Sequence, residues 1–263
     1  MQTELTWGDP GVPAILRAVG EQQPLVHCLT NIVVAQFTAN ALLAVGASPA
    51  MVENAEESGV FAGVAAAVLV NLGTLSAERE AAMHAAAASA DVHGRPWVLD
   101  PVAVGALAHR TAFAENLLKL HPAVVRANPS EVMSLAGSRA AGRGVDSLAG
   151  SEEALSAATS LARQRGSVVA VSGAVDYVTD GIDVVAVPGG SPLLAQITGT
   201  GCALGALVAA FLAVESDALL AAASASAVFK MAGERAAVGE PGPGTFAVSL
   251  LDEMAALTRA ASA

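Results

Sequence analysis

The sequence predicts an α/β fold with a mostly parallel central sheet flanked by helices and an antiparallel hairpin at one edge. Short apolar runs alternate with helix-length, alanine-rich segments, a pattern typical of βαβ units. Two valine-containing runs separated by Asp-Gly-Ile-Asp at residues 180–183 indicate the hairpin. With 263 residues, 54% of them hydrophobic, the chain is long enough to build a large core. We therefore expect one domain over residues 1–263.

Five apolar runs have the length of buried strands, and two more form the predicted hairpin. The five runs are 25–28, 68–72, 97–99, 123–126 and Val168–Val171, and the hairpin strands are Asp176–Thr179 and Val184–Val187. Helices are predicted between and after them at 33–45, 77–90, 111–120, 152–165, 203–214, 217–237 and 245–261. Ser76 and Ser151 are candidate N-caps because glutamate follows each in the first turn. A glycine- and arginine-rich stretch at 137–144 is the best candidate for a mobile loop, although a solvated connection is the favoured interpretation.

The composition argues for a small-molecule partner. A net charge of -11 is unsuited to nucleic acid or to an anionic membrane surface. The apolar runs at 203–214 and 218–229 are shorter than the roughly 20 residues that span a bilayer. The first residues lack a basic segment followed by an apolar one, and two cysteines, Cys28 and Cys202, cannot form a disulfide framework. These features favour a cytoplasmic protein.

Polar residues follow four of the predicted strands where each strand ends. They include Asn71, Asp100, Arg126 and Ser172, with Glu131 shortly after Arg126. Ligands of parallel sheets bind outside the carboxyl ends of the strands, so these side chains are expected to meet at one rim. Two carboxylates suit Mg²⁺, and a guanidinium suits phosphate. Asp100 and Glu131 as helix caps, with Arg126 paired to one of them, remain the alternative interpretation.

A glycine-containing loop, Thr-Gly-Thr-Gly-Cys at residues 198–202, directly precedes a predicted helix. Unpaired N–H groups at a helix N-terminus bind anions, and glycines allow the backbone to approach them closely. The loop is therefore a candidate phosphate cradle. Gly199 and Gly201 do not fit the dinucleotide fingerprint, and the chain contains no Walker A sequence.

Several longer segments carry a family resemblance. They are residues 27–31 (His-Cys-Leu-Thr-Asn), 40–51 (Asn-Ala-Leu-Leu-Ala-Val-Gly-Ala-Ser-Pro-Ala-Met), 100–105 (Asp-Pro-Val-Ala-Val-Gly), 128–131 (Asn-Pro-Ser-Glu) and 198–203 (Thr-Gly-Thr-Gly-Cys-Ala). In this order the chain resembles the hydroxyethylthiazole kinase family of the ribokinase-like superfamily, over nearly its whole length. The resemblance implies a three-layer ribokinase-like fold. It also implies ATP- and Mg²⁺-dependent phosphorylation of the primary alcohol of 4-methyl-5-(2-hydroxyethyl)thiazole in thiamine salvage.

The resemblance also implies roles for individual residues. Met51 and Gly199 would contact the thiazole, with Asn31 near the same pocket, although Asn31 alone would be interpreted as a helix N-cap. Arg126 and Ser172 would bind ATP. The metal would be served by Asp100 and Glu131. The family further implies a homotrimer with its thiazole sites at subunit interfaces.

Cys202 departs from the wider superfamily, in which aspartate usually ends this loop and acts as the base. A free thiol is a weak base at neutral pH, although a helix N-terminus lowers the pKa of a thiol. Phosphoryl transfer through a loose transition state needs little help from a base. We therefore expect the N–H groups around Gly199 and Gly201 and the metal to contribute more to catalysis than Cys202.

Three other functions remain open at this point. One is a kinase of another small alcohol, such as hydroxymethylpyrimidine, and a related one is an ATP-dependent hydrate dehydratase. The third is a catalytically idle protein that senses a thiazole or a nucleotide. Thiol redox chemistry at Cys202 is disfavoured because no Cys-x-x-Cys sequence exists.

Overall fold

The structure is a computed structural model that describes residues 2–137 and 150–263. Most of the loop predicted at 137–144 lies outside the described residues. Nine described strands form one sheet in the order β1-β9-β8-β7-β6-β5-β4-β2-β3. They are β1 (Gln2–Glu4), β2 (Leu25–Leu29), β3 (Ser48–Ala50), β4 (Ala67–Asn71), β5 (Trp97–Asp100), β6 (Val124–Ala127), β7 (Val168–Val171), β8 (Asp176–Thr179) and β9 (Val184–Val187).

The sheet is mostly parallel, as predicted. Strands β2 to β7 pair with one another only in parallel, while β8 runs antiparallel to both β7 and β9. The predicted hairpin is therefore confirmed. The short strand β1 pairs in parallel with β9 and lies outside the hairpin. Neither β1 nor β3 was predicted, since three residues are too few to show a period of two.

Ten helices are described on the two faces of the sheet. They are α1 (Gly11–Gln22), α2 (Ala35–Ala44), α3 (Ala55–Val64), α4 (Ala77–Val92), α5 (Ala108–Leu117), α6 (Pro129–Leu135), α7 (Leu155–Arg165), α8 (Thr200–Leu212), α9 (Ala218–Ala236) and α10 (Pro243–Ala261). Short 3-10 turns occur at Leu118–Leu120 and Pro192–Gln196.

Two separate apolar cores show that the fold has three layers. Along β4, Leu69 packs into a core with α1, α2, α8, α9 and α10, whereas Val68 and Val70 pack into a second core with α4 to α7. Every residue of β4 is buried, because helices cover both faces of this part of the sheet. The predicted arrangement of a central sheet between two helical layers is confirmed.

One of the two predicted N-caps is wrong. Ser76 Oγ accepts a hydrogen bond from the N–H of Arg79, as expected of an N-cap. Ser151 does not cap α7, which begins at Leu155. The Ser151 hydroxyl instead donates a 2.6 Å hydrogen bond to the carbonyl of Val175 in the β7–β8 turn. Because the hydroxyl is bonded to a carbonyl distant in the chain, it does not cap the nearby helix.

Helix α3 was not predicted, and its pattern explains why. Val60 and Val64 are exposed, whereas Ser58 and Ala62 are buried, so both valines of this helix's last two turns face outward. Helix α1 was also not predicted. Among the described residues, no helix has both the length and the apolar character that crossing a membrane requires.

Candidate active site

A cavity of about 1080 Å³ lies at the carboxyl ends of the parallel strands and at the beginning of α8. It exceeds the roughly 300–1,000 Å³ of ordinary ligand pockets. The predicted rim is therefore a single concave site. The lining includes eight of the nine residues to which a role was assigned from the sequence: Asn31, Asp100, Arg126, Glu131, Ser172, Gly199, Gly201 and Cys202.

The N-terminus of helix α8 lines the cavity. Gly199 is the N-cap with a φ of 96°, in the left-handed region that favours glycine, and within the described chain no side chain caps the helix. A Cβ at Gly199 would lie 2.4 Å from Cγ1 of Val34, so this position has no room for a larger residue. The first N–H groups of α8 are thus available to an anion.

Arg126 lies directly beside this helix start. Its guanidinium Nη2 donates a hydrogen bond to Ser172 Oγ, and Nη1 lies 4.0 Å from Asp100 Oδ2. A Cβ at Gly201 would be only 2.8 Å from Arg126 Nη1. The buried Nε has no hydrogen-bond partner among the described residues. The guanidinium therefore has free donors beside an anion-binding helix terminus, which suits phosphate oxygens.

Asp100 is a buried carboxylic acid at the end of β5, only 1% exposed. Burial raises its pKa to about 7; the charge of Arg126 lowers the pKa, and that of Glu131 raises it. Asp100 Oδ2 accepts a 2.7 Å hydrogen bond from Nδ2 of Asn71. Its role is thus not that of a helix cap.

Glu131 does cap a helix. Its backbone N–H donates to Asn128 Oδ1 at 3.0 Å, and its Oε2 accepts from the N–H of Asn128 at 2.9 Å, which completes a capping box on α6. Oε1 accepts from the N–H of Ala103 at 2.8 Å. Burial raises the pKa of this carboxyl as well. The capping alternative is confirmed for Glu131, while the side chain also lines the cavity.

The two carboxylates fit a magnesium ion that keeps water and substrate oxygens as ligands. Residues 2–137 and 150–263 contain no group of three His, Cys, Asp or Glu side chains placed to hold a metal. Mg²⁺ commonly takes only one or two protein carboxylates and completes its shell with water and phosphate. A cation near Asp100 would also relieve the cost of its buried charge. The residues present therefore suit Mg²⁺ bound together with a phosphate.

Asn71 connects the two halves of the site, a role that sequence reasoning missed. Its Oδ1 accepts from Nδ2 of Asn31 at 3.0 Å and from the N–H of Gly73 at 3.0 Å. These bonds orient the amide so that its Nδ2 faces Asp100. Its position at a strand end was the only signal in the sequence, because residues 31, 71 and 100 are far apart in the chain.

Asn31 itself is not the N-cap of α2. That helix begins at Ala35 after Val34, and Asn31 Oδ1 accepts the N–H of Val33, at 3.2 Å. Its Nδ2 also lies 3.4 Å from Cys202 Sγ. The amide therefore belongs to the cavity, between Asn71 and the thiol.

The thiol of Cys202 is a weak acid in this environment. Burial and the charge of Asp100 raise its pKa to about 11, although hydrogen bonds from Asn71 and Asn31 and the charge of Arg126 lower the pKa. The position at the start of α8 does not reverse this. The side chain therefore carries a neutral thiol near pH 7.

Met51 is the one assigned residue that does not line the described cavity. It follows β3, is partly buried and packs against the core on the α8 side of the sheet. The next residue, Val52, borders a shallow depression with Val60 and Val64. Within one chain, Met51 thus does not line the cavity with the residues predicted to act with it.

Comparisons with known proteins point to one family. The family model described as "Hydroxyethylthiazole kinase family" matches residues 16–260. A protein of Kineococcus radiotolerans named hydroxyethylthiazole kinase is 54% identical over 94% of this chain and 90% of its own length. The solved structure of a hydroxyethylthiazole kinase protein from Pyrococcus horikoshii OT3 has a TM-score of 0.86 and 40% identity, covering 93% of this chain and 92% of its own.

A more distant structure supports the fold alone. A ribokinase-like superfamily protein from Enterococcus faecalis has a TM-score of 0.68 at 14% identity, over 97% of this chain and 96% of its own. The predicted ribokinase-like fold is therefore confirmed. The family match extends from α1 to the end of α10 and includes every residue that lines the cavity. The chain belongs to the hydroxyethylthiazole kinase family.

Proposed function

We propose that this protein transfers the γ-phosphoryl group of ATP to the primary alcohol of 4-methyl-5-(2-hydroxyethyl)thiazole, which recovers the thiazole for thiamine synthesis. One observation carries the proposal. The uncapped start of α8, the guanidinium of Arg126 and two buried carboxylates surround one cavity. Phosphoryl transfer needs oriented N–H groups, a fixed cation and a metal site, and little other chemistry.

The phosphate end is formed by Arg126, Ser172 and the N–H groups that follow Gly199. Arg126 and Ser172 hold ATP, and the helix terminus stabilises charge on the group being transferred. Asp100 and Glu131 would hold Mg²⁺, which supplies charge neutralisation on the phosphate oxygens. Since both oxygens of Glu131 already accept backbone N–H groups, this carboxylate would act on the metal through water.

The alcohol binds on the other side of the α8 terminus, between Asn31, Gly199 and Cys202. The neutral thiol at Cys202 contributes a hydrogen bond to the hydroxyl and does not remove its proton at pH 7. In a loose transition state the bond to the attacking oxygen is slight, so the proton can leave late, to an oxygen of the transferred phosphoryl group or to water. Charge stabilisation by the helix terminus and by Arg126 is then the larger contribution.

We also propose that the protein is a homotrimer in which Met51 completes the thiazole site of a neighbouring subunit. Ile32 (70% exposed) and Val33 (65%) lie in the loop next to Asn31, and Val60 (75%) and Val64 (66%) lie on α3. Exposed apolar side chains of this number suit an interface. Light scattering tests this: we expect the mass of three 26.0 kDa chains, and a monomer would contradict the assignment.

Residues 1–263 are proposed to act as one kinase domain in the cytoplasm. The nine described strands share one sheet, which supports the single domain. Cys28 and Cys202 are both free thiols, which suits a reducing compartment that also supplies ATP.

A kinase assay across candidate alcohols tests the function. The purified protein is given saturating Mg²⁺-ATP and either the thiazole alcohol or hydroxymethylpyrimidine, and ADP release is followed together with the phosphorylated product. We expect turnover of the thiazole alcohol. Its absence would overturn the proposal. Turnover of only the pyrimidine would indicate the other kinase, and binding without ADP release would indicate a sensor.

A further inference from the structure

A buried lysine on α9 connects two loops of the cavity. Lys230 is one of two lysines in the chain and is only 5% exposed. Its Nζ donates to the carbonyls of Gly173 at 3.0 Å, Ala174 at 2.9 Å and Gly189 at 3.2 Å. It also lies 3.2 Å from Asp176 Oδ1. An ammonium has three protons, so its hydrogen-bonding capacity is fully used by the protein.

Asp176 and Glu234 form further hydrogen bonds to the same two loops. Asp176 Oδ1 accepts the N–H of Gly173 at 2.9 Å, which closes the β7–β8 turn on itself. One helical turn after Lys230, Glu234 Oε1 accepts the N–H of Gly190 at 3.0 Å. Helix α9 is therefore hydrogen-bonded to the β7–β8 turn through Lys230, and to the loop after β9 through both Lys230 and Glu234.

The loop after β9 rests directly on these side chains. Gly189 and Gly190 have φ values of 100° and 88°, and a Cβ at Gly189 would lie 2.3 Å from Glu234 Oε1. Both glycines line the cavity, as do Gly173 and Ala174. These loops form the end of the cavity beyond Ser172, which is bonded to Arg126.

A buried ion pair is weak evidence for stability, because apolar residues of similar size are often as stabilising. The pair formed by Lys230 and Asp176 instead lies at the end of the β8–β9 ladder, where Asp176 pairs with Val187. Beyond that last strand pair, Lys230 connects the turn before β8 to the loop after β9. Ser172 directly precedes Gly173, so the hydrogen bond from Lys230 to the carbonyl of Gly173 also sets the position of Ser172 beside Arg126.

We propose that Lys230 and Glu234 are positioning residues for the nucleotide: they hold the turn at 173–176 and the loop at 189–190 in the arrangement that receives ATP. The inference deepens the proposed function and rests on it, since it takes Arg126 and Ser172 as the phosphate end. The remainder of the nucleotide then extends along Gly173 and Gly189. Lys230 itself lines the cavity, and we assign both residues an action through the loops to which they are hydrogen-bonded.

The test separates ATP binding from alcohol binding. Glu234→Ala is the main variant because Glu234 is exposed and its loss removes a single loop contact. We expect a rise of about fivefold in the KM for ATP, from one lost hydrogen bond, with the KM for the thiazole alcohol unchanged. Lys230→Met is expected to raise the KM for ATP about tenfold or more, and Lys230→Arg to retain part of the affinity. Lys119→Met, at an exposed lysine, is the matched control and leaves both constants unchanged.

Calorimetry with Mg²⁺ and a non-hydrolysable ATP analogue, together with thermal unfolding, completes the test. A wild-type affinity retained by folded Glu234→Ala and Lys230→Arg overturns the positioning role while the kinase assignment stands. An equal rise in both KM values also overturns it, since that indicates a general structural role. If the wild-type protein binds no analogue at all, the proposed function fails and this inference fails with it.

Discussion

The replacement Gly201→Ala should leave the protein folded and remove most of its affinity for ATP. The added Cβ would lie 2.8 Å from Arg126 Nη1, closer than such atoms approach one another, and 3.1 Å from Nη2, which is a tight contact. The guanidinium must therefore move by a few tenths of an ångström. Because Gly201 lies in the first turn of α8, alanine gains part of the helix propensity difference, which is about 1 kcal/mol in a helix interior. The flexible end of Arg126 absorbs the clash, so stability changes little.

The loss of function follows from what Arg126 holds. A displaced guanidinium gives up its hydrogen bond to Ser172 and its contact with a phosphate. A charge-assisted hydrogen bond contributes about 1.5–3 kcal/mol, which corresponds to a loss of about 10- to 150-fold in kcat/KM for ATP. Cys202→Ala should cost less than about tenfold, because a loose transition state needs little base. With a pKa of about 11, the thiol is only about 0.03% thiolate at pH 7.5.

The assay is ADP release at pH 7.5 with saturating thiazole alcohol and varied ATP, accompanied by thermal unfolding of each variant. Gly59→Ala is the matched control: it also lies in a helix, and its Cβ would meet only an ordinary 3.6 Å contact with the carbonyl of Ala85. We expect this control to behave as the wild type. A larger loss of kcat/KM for Cys202→Ala than for Gly201→Ala would refute the reasoning.

Three further predictions concern the same cavity. Gly199→Ala combines a φ of 96° with a 2.4 Å approach to Val34, so we expect urea unfolding to show a loss of about 1–3 kcal/mol, of which Val34→Ala restores only the steric part. Asn71→Leu should lower kcat about tenfold by freeing Asp100, and an unchanged kcat in a folded variant would show that the amide is only structural. Because the pKa of Asp100 is raised to about 7, its proton is bound more tightly in the folded state, so stability without ligand should fall as pH rises from about 4 to about 7. Mg²⁺-ATP should bind more tightly over the same range and release about one proton at pH 6 in calorimetry, whereas Asp100→Asn should show neither effect.

Local patterns predicted most of the fold. The alternation of short apolar runs with helical segments depends on residues that are neighbours in the chain. For this reason β4, β5 and β7 were predicted to within one or two positions. The Asp-Gly turn at 180–181 marked the hairpin for the same reason. Strand β3 and helix α3 were not predicted, since β3 has three residues and α3 turns Val60 toward solvent.

The candidate site was predictable where sheet geometry converts positions along the chain into one place in space. The carboxyl ends of parallel strands share one edge, so Asp100, Arg126 and Ser172 had to lie near one another once the strands were placed. The same geometry brings Asn71 beside Asp100, but it does not show which atoms of Asn71 or of Lys230 form hydrogen bonds, or with which partners. Their hydrogen bonds connect residues tens of positions apart, and no periodicity links them.

The order of residues thus defined the βαβ architecture, the rim where chemistry is possible and the glycine loop before α8. Tertiary packing decided how those groups behave. At Cys202 a helix start alone would lower the pKa of the thiol, yet burial and the charge of Asp100 raise it to about 11. Solvation and charge at a point depend on every chain segment that surrounds it, whereas secondary structure depends mainly on neighbours in the chain.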